Sequence, residues 1–405
     1  MNITAPWQKV NVQAALDPKL GVVRPRKKIP AHAYLREGMT PVVDQGRRRI
    51  AGWTNDEEAV IRQPLPVIVF GDHTRTFKYV DFPFAAGADG TLILKPSAEF
   101  DPRFFYYACL ELDLPSRGYN RHFAALKERD IPRPPLFEQR FIASALAAVD
   151  AAVEVEGDLL RTARELKQAA LAEVFTRGVP DFRRGETAAK DNQARWPLVP
   201  LGSLATIGNG STPRRSDPRY WTEGSIPWLT SGKIHEQVIR YADEFVTREA
   251  VKECHLPIVA GGSLLVAITG QGKTLGNVAI TEIETCISQH LAYIAFLDDA
   301  GDPDFFRYFL SSRYDDLRRA AHGMGSTKGA LTCAFLKTYP VPNPEPAVQR
   351  KIAAIFQALD ARIARHEARR RVLRELFASL LHDLMSGRRR VAVESKKAPD
   401  RKSVV

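Results

Sequence analysis

The stretch PPLFEQRFIASALAAVDAAVE, beginning at Pro134, returns in altered form as PEPAVQRKIAAIFQALDARIA, beginning at Pro344. Gln139-Arg140 falls on Gln349-Arg350 at a shift of 210 residues. Without a gap, the same shift aligns Pro132 with Pro342, Ile142 with Ile352, Ala143 with Ala353, Asp150 with Asp360, Glu165 with Glu375 and Leu171 with Leu381. Leu126-Lys127 also matches Leu336-Lys337, so the repeat begins before the helix, in the last element of whatever precedes it. A duplicated segment separated by unrelated residues restricts the chain to architectures in which two similar units each end in the same way.

Both copies carry helical periodicity. Ile142, Leu146, Val149, Val153, Leu160, Ala163, Leu166, Ala170 and Val174 recur at three-, four- or seven-residue steps in the first. Ile352, Phe356, Leu359, Ile363, Leu373, Leu376, Leu380 and Leu384 do so in the second. Each helix opens after prolines and stops near a glycine, Gly178 or Gly387. At ~1.5 Å per residue, about 40 residues span roughly 60 Å. Water cannot satisfy a narrow apolar stripe on so long a helix, and the obvious partner is the other copy. Ile142, Leu146, Val149, Val153 and Leu166 are therefore expected to pair with Ile352, Phe356, Leu359, Ile363 and Leu376, or to bind a partner.

These helices bound the remaining segments. Residues 1–135 and 196–345 mix short β-rich runs such as LPVIVFGD and GGSLLVAITG with turn-rich loops and a short helix near the end, the texture of two α/β globules. The spacer helices occupy 136–178 and 346–387. Residues 179–195 are polar and read as a linker, and 388–405 as a basic, disordered tail.

Composition narrows the function. At 44% apolar and 26% charged, the 405 residues describe an ordinary globular protein large enough for two or three domains. No apolar run approaches the 18 or so residues of a membrane span, and the first thirty residues lack the core of a signal peptide, which places the protein in the cytoplasm. Four cysteines lie far apart without a C-x-x-C pair, so neither a zinc site nor a disulfide framework is expected. The net charge of +11 suits a polyanionic partner.

One enzymatic motif competes. In AITGQGKT, Ala267 to Thr274, the Gly-Lys-Thr ending follows a β-like run as in a nucleotide-binding P-loop. Ala267 replaces its first glycine, and the following LGNVAI looks like a strand where a helix should face the phosphates. A β-hairpin loop offering a lysine is the preferred reading; a P-loop hydrolase with a coiled-coil arm is the alternative. A scaffold that reads no nucleic acid is a third. IGNGST lacks the rest of a dinucleotide fingerprint, and NPEP is followed by no aromatic residue to stack a flipped base.

Nucleic-acid contacts agree better with the charge. The first globule offers Gln45, Arg47, Arg75, Lys78, Arg117, Asn120 and Arg121; the second offers Arg214, Arg215, Lys233, Lys273, Thr274 and Lys328. Set among glycines and small hydroxyl residues, such side chains supply donors for phosphate oxygens and for base edges in a groove.

TPVVDQG, LPVIVFGDHTRTFKYVDFPFAAGADG and PSRGYNRHFAALKERDIPRPPLFEQR resemble the first target-recognition domain of type I restriction-modification specificity subunits. WPLVPLGSLATIGNGSTPRR, YWTEGSIPWLTSGKI and LKTYPVPNPEPAVQRKIAAIFQALDARI resemble the second and its following helix. The resemblance implies an α+β fold: two α/β target-recognition domains separated by two long antiparallel helices that form a coiled-coil spacer. It further implies a non-catalytic protein with no cofactor of its own. Its partners would be double-stranded DNA, methyltransferase subunits that use S-adenosylmethionine, and ATP-driven restriction subunits. One departure is visible, since the family's glutamate before Gln-Arg is present as Glu138 but replaced by Val348. That substitution leaves the start of the second helix in question. Two different readers on a stiff spacer would recognise an asymmetric target whose half-sites lie about 10 base pairs apart, centre to centre.

Overall fold

The computed structural model describes residues 7–87, 89–115, 120–176, 196–270, 272–298, 300–323 and 329–390. The linker expected over 179–195 lies outside the described residues, as does the tail after residue 390. The chain divides into two units, Met1–Asp158 with Glu367–Val405, and Leu159–His366.

The first unit contains β1 (Gln8–Asn11), α1 (Val12–Ala15), β2 (Val22–Val23), β3 (Thr40–Val43), β4 (Gly52–Thr54), β5 (Val60–Ile61), β6 (Val67–Gly71), β7 (Phe77–Val80), β8 (Phe84–Ala86) and β9 (Thr91–Leu94). Then come α2 (Pro102–Leu110), α3 (Phe123–Lys127), β10 (Asp130–Arg133) and the start of α4 (Leu136–Thr176). Its strands form sheets of order β2-β9-β6-β7 and β4-β3-β8-β5, with β1 paired to β10.

The second unit repeats this plan. After β11 (Leu198–Pro200) come β12 (Ala205–Asn209), β13 (Ile226–Leu229), β14 (Val238–Ile239), β15 (Glu244–Val246), α5 (Arg248–Glu253), β16 (Leu264–Ala267), β17 (Val278–Thr281), β18 (Cys286–Ile287) and β19 (Leu291–Phe296). They are followed by α6 (Pro303–Ser312), α7 (Tyr314–Gly323), α8 (Cys333–Thr338), β20 (Pro340–Pro342) and α9 (Pro346–Met385). The sheets have orders β12-β19-β16-β17-β14 and β15-β13-β18, and β11 pairs with β20. In both units one strand runs antiparallel to the next strand of its own sheet and parallel to a later one: β3 with β4 and β8, β13 with β15 and β18.

The continuous apolar runs arise because the central strands serve two cores. Successive side chains of a strand point to opposite faces. In β6, Ile68 and Phe70 enter the core beneath α2, while Val67 and Val69 enter the core between the sheets. In β16, Leu264 and Val266 face one core and Leu265 and Ala267 the other.

The long helices meet within each unit. In the first, Ile142 and Leu146 of α4 pack in one core with Leu381, Leu384 and Met385 of α9, and farther along Glu156 pairs with Arg369 at 3.0 Å. In the second, Leu171 and Phe175 of α4 pack with Ala353 and Phe356 of α9, and Lys167 pairs with Asp360. As α4 residue numbers rise the α9 partners fall, so the halves that meet in each unit are antiparallel. Val149, Val153, Ile352, Leu359 and Ile363 are half-buried. Leu166 and Leu376 correct the expected pairing, being 53% and 45% exposed. The positions that turn inward are their neighbours Lys167 and Phe377, themselves related by the 210-residue shift. The Lys167 ammonium reaches Asp360 and lies over the Tyr308 ring at 5.3 Å, so a charged residue takes the inward position.

The repeated glutamine has a defined role. Gln139 is fully buried; its Oε1 accepts from the Asp101 N–H (2.8 Å) and its Nε2 donates to the carbonyls of Pro134 (2.8 Å) and Glu99 (3.0 Å). Asp101 caps α2, ahead of Pro102. Gln349 accepts from the Asp302 N–H (2.8 Å) and donates to the Pro344 carbonyl (2.9 Å) and Asn343 Oδ1 (3.0 Å), and Asp302 caps α6 ahead of Pro303. In each unit one amide thus ties the first turn of a long helix to the capped end of the unit's own helix. Around those caps lies a second repeat, Asp-Pro-x-Phe-Phe-x-Tyr, at Asp101 to Tyr107 and Asp302 to Tyr308. Val348 leaves the second helix start unaltered, since α9 begins at Pro346, 210 residues after Leu136. Glu138 instead accepts a hydrogen bond from Trp7 (3.1 Å), a contact of the first unit. Gly387, with φ of 72°, follows the end of α9 in the left-handed conformation that terminates helices.

Candidate nucleic-acid interface

In the first unit the β6–β7 turn organises a cluster of loops. A Cβ at Gly71 would strike the Thr74 hydroxyl, so the turn requires glycine. The Thr74 and Thr76 hydroxyls both donate to the Gln45 carbonyl. Gln45 itself braces the loops, its Nε2 donating to the Asp89 carbonyl (2.9 Å) and its Oε1 accepting from the His73 N–H (3.3 Å). Buried Asp72 accepts from the N–H groups of His122 (2.8 Å) and Phe123 (2.7 Å), capping α3 and drawing the 120–122 segment alongside. Residues 45–49, 71–76, 89–90 and 120–122 therefore adjoin, and Arg47, Asn120 and Arg121 are exposed there. Arg75, at φ 60°, is half-buried and donates to the Leu114 carbonyl.

Lys78 is a correction. It is 8% exposed, and its ammonium donates to the Asp44 carbonyl (2.7 Å) and lies 3.5 Å from the Asp44 carboxylate. Burial lowers its pKa, partly offset by Asp44. Its ammonium is engaged by Asp44 and holds the loop in place. Arg117 lies outside the described residues.

In the second unit β16 and β17 are antiparallel neighbours joined by the loop that carries the Gly-Lys-Thr motif. No helix follows the motif, and its carbonyls are held from the side: Arg318 donates to Gly272 (2.6 Å), and the Tyr314 hydroxyl (2.7 Å) and Asn277 amide (3.0 Å) donate to Lys273. A phosphate cradle needs backbone N–H groups converging at a helix start, so the nucleotide-hydrolase alternative has no support. Lys273 is left exposed, and Thr274 contacts His235 (3.2 Å). The 210–215 loop lies beside it through Thr212 with Gln289 and Thr269 with His290. A Cβ at Gly210 would collide with the Ile287 carbonyl, which allows that close approach only to glycine. Arg214 is exposed.

Arg215 and Lys233 are occupied. The Arg215 guanidinium lies over Trp221 (4.1 Å) and Trp228 (4.7 Å) and pairs with Glu244. Lys233 is 9% exposed, packs on Tyr241 (3.6 Å) and meets Glu236 (2.7 Å) and Asp243 (3.0 Å). Burial opposes its charge, but the bonds to Glu236 and Asp243 outweigh it and raise its pKa. Lys233→Met is expected to lower thermal stability and leave the salt dependence of duplex binding unchanged, whereas removal of a phosphate contact would reduce that slope by about one. Lys328 lies outside the described residues. The supporting residues Arg318, Tyr314 and His290 belong to no sequence motif.

Among the described residues no group of three His, Cys, Asp or Glu side chains could hold a metal, and no helix is long and apolar enough to cross a membrane.

Residues 194–375 match the family model described as the type I restriction modification DNA specificity domain. The chain is 22% identical over 335 residues to the EcoR124I/EcoR124II specificity subunit of Escherichia coli, covering 79% of each. It is 27% identical over 188 residues to the MjaIX specificity subunit of Methanocaldococcus jannaschii, covering 46% of this chain and 42% of the relative. Its fold matches the crystal structure of a type I restriction-modification S subunit from M. genitalium, with a TM-score of 0.63, 19% identity and coverage of 95% and 97%.

Proposed function

The chain belongs to the specificity subunits of type I restriction-modification systems, and from that premise we propose that each unit reads one half of a bipartite, asymmetric DNA target. One observation carries this reading. Both units gather glycine-dependent loops at the β6–β7 and β16–β17 turns, and both expose cations there, Arg47 and Arg121 in one and Arg214 and Lys273 in the other. Cations of this kind position a duplex through its phosphates, while neighbouring polar side chains such as Asn120 can meet base edges. Because the loops differ in sequence, the half-sites would differ too.

The subunit is a recognition component and not a catalyst. Methyltransferase subunits would dock on the long helices and supply the chemistry, restriction subunits would join that assembly, and the whole would work in the cytoplasm. Joining two readers makes the second contact effectively intramolecular, which can raise affinity 10²–10⁴-fold over either alone. Co-expression with its methyltransferase subunit, followed by mapping of methylated adenines, is expected to return one split asymmetric sequence. Methylation scattered without a shared sequence would refute the proposal.

Lys273→Ala is expected to weaken duplex binding severalfold and lower the salt slope by about one, as loss of a single phosphate contact would. Titration of duplex at several salt concentrations measures both. An unchanged slope would remove Lys273 from the interface.

A further inference from the structure

The two units differ at one edge. In the second, β14 lies against β17, running parallel to it; the Ile280 N–H donates to the Gln237 carbonyl (2.9 Å) and the Glu282 N–H to the Ile239 carbonyl (2.9 Å). In the first, β7 is the last strand of its sheet. Registers identify the counterparts: Tyr79 faces Ile68, which faces Leu94, just as Ile280 faces Leu264, which faces Ile294. The cause lies in the preceding loop. Residues 230–243 supply β14 between β13 and β15, whereas only residues 44–51 join β3 to β4. The shorter loop leaves the β7 edge without the strand that covers its counterpart.

Beside that edge is a cavity of about 310 Å³ lined by Tyr79, Tyr106, Arg49, Arg103, Asp150 and Glu154, among others. Two of its arginines already face acids, Arg49 with Glu154 and Arg103 with Asp81, both at 3.5 Å, and its Lys78 is engaged by Asp44. Asp150 differs. Its counterpart Asp360, 210 residues on, accepts from the Tyr308 hydroxyl (2.7 Å) and pairs with the Lys167 ammonium. The position equivalent to Lys167 is Phe377, whose ring packs against Tyr107 at 5.8 Å. Among the described residues no hydrogen bond or ion pair reaches the Asp150 carboxylate. Burial raises its pKa and Glu154 adds to the effect, with Arg49 and Arg103 pulling the other way.

We propose that the open edge of β7 accepts an extended segment of a partner protein, which runs parallel to the strand and places a lysine or arginine against Asp150. Strand addition supplies affinity through main-chain hydrogen bonds, and alternate side chains supply selectivity. The second unit completes the same edge from its own chain, and the missing counterpart of Lys167 specifies the charge of the incoming side chain. This assignment is independent of which DNA the units read.

The test uses the full chain and an octapeptide of the His235–Ala242 sequence with lysine in place of Gln237, the position that lines the second unit's cavity beside Lys167 and Tyr308. At millimolar peptide, amide hydrogen exchange at Tyr79 and Asp81 is expected to slow at least tenfold. The lysine peptide should bind about tenfold more tightly than the unaltered peptide, a preference lost in Asp150→Asn. Comparing the two peptides on the unmodified protein tests the charge without dependence on the variant's folding. Unchanged exchange at Tyr79 and Asp81, equal affinity for the two peptides, or protection of this edge by duplex DNA and not by peptide would each overturn the assignment.

Discussion

Replacing Gln139 with leucine is expected to destabilise the first unit by about 2–4 kcal/mol, because buried polar groups are left without partners. Leucine fills similar space but offers neither donor nor acceptor. The Asp101 N–H and the carbonyls of Pro134 and Glu99 would lose their contacts in a site from which water is excluded. Each unsatisfied buried group costs roughly 1–3 kcal/mol, and partial relaxation keeps the total below the simple sum. Gln349→Leu should affect the second unit similarly, since its amide serves Asp302, Pro344 and Asn343. Denaturant unfolding followed by amide exchange separates the two units, which a single global transition would not. A cost below about 0.5 kcal/mol in either variant would show that the latch does not hold the helix to its unit.

The latch also marks how far sequence reasoning reached. The gapless shift of 210 exposed α4 and α9 together with α3 and α8, because nothing is inserted between those elements in either copy. The Asp-Pro-x-Phe-Phe-x-Tyr repeat escaped the same comparison. Asp101 lies 38 residues before Gln139, whereas Asp302 lies 47 before Gln349. The second unit carries α7 in that interval, and the added residues move the motif out of register. The repeated glutamine was therefore visible while its partner was not.

Individual contacts were legible only in part. Glycine-rich loops with basic residues identified the right segments, since turns requiring close backbone approach are written in Gly71 and Gly210. Whether a cation in such a loop is available depends on residues distant in sequence. Asp44, 34 positions away, claims Lys78. Glu244, 29 positions away, and two tryptophans claim Arg215. Lys273 and Arg47 have the same composition around them and remain exposed. Side-chain identity alone does not distinguish these cases; burial sets Lys78 apart, and the ion pair and ring contacts set apart Arg215, which is itself exposed. The same limit explains Leu166 and Leu376, where the inward position belongs to a neighbouring lysine or phenylalanine.

The second large effect concerns spacing. Helix α4 continues unbroken through the unit boundary after Asp158, and α9 through the boundary after His366. If these helices set the gap between readers, four residues added to both, after Asp158 in α4 and after His366 in α9, should lengthen the spacer by about 6 Å and rotate it by about 40°. Each added base pair lengthens duplex by about 3.4 Å and turns it by about 34°. One or two extra base pairs between unchanged half-sites would best satisfy both. On the original target only one reader could then engage fully, and affinity should fall 10²–10⁴-fold.

Selecting duplexes from a pool with randomised gap length, using the unaltered chain and the four-residue insertion variant, measures that dependence directly. The two proteins are expected to select the same half-sites, with the insertion variant preferring a gap longer by one or two base pairs. An identical preferred gap in both would contradict the claim that the paired helices set the distance between the readers.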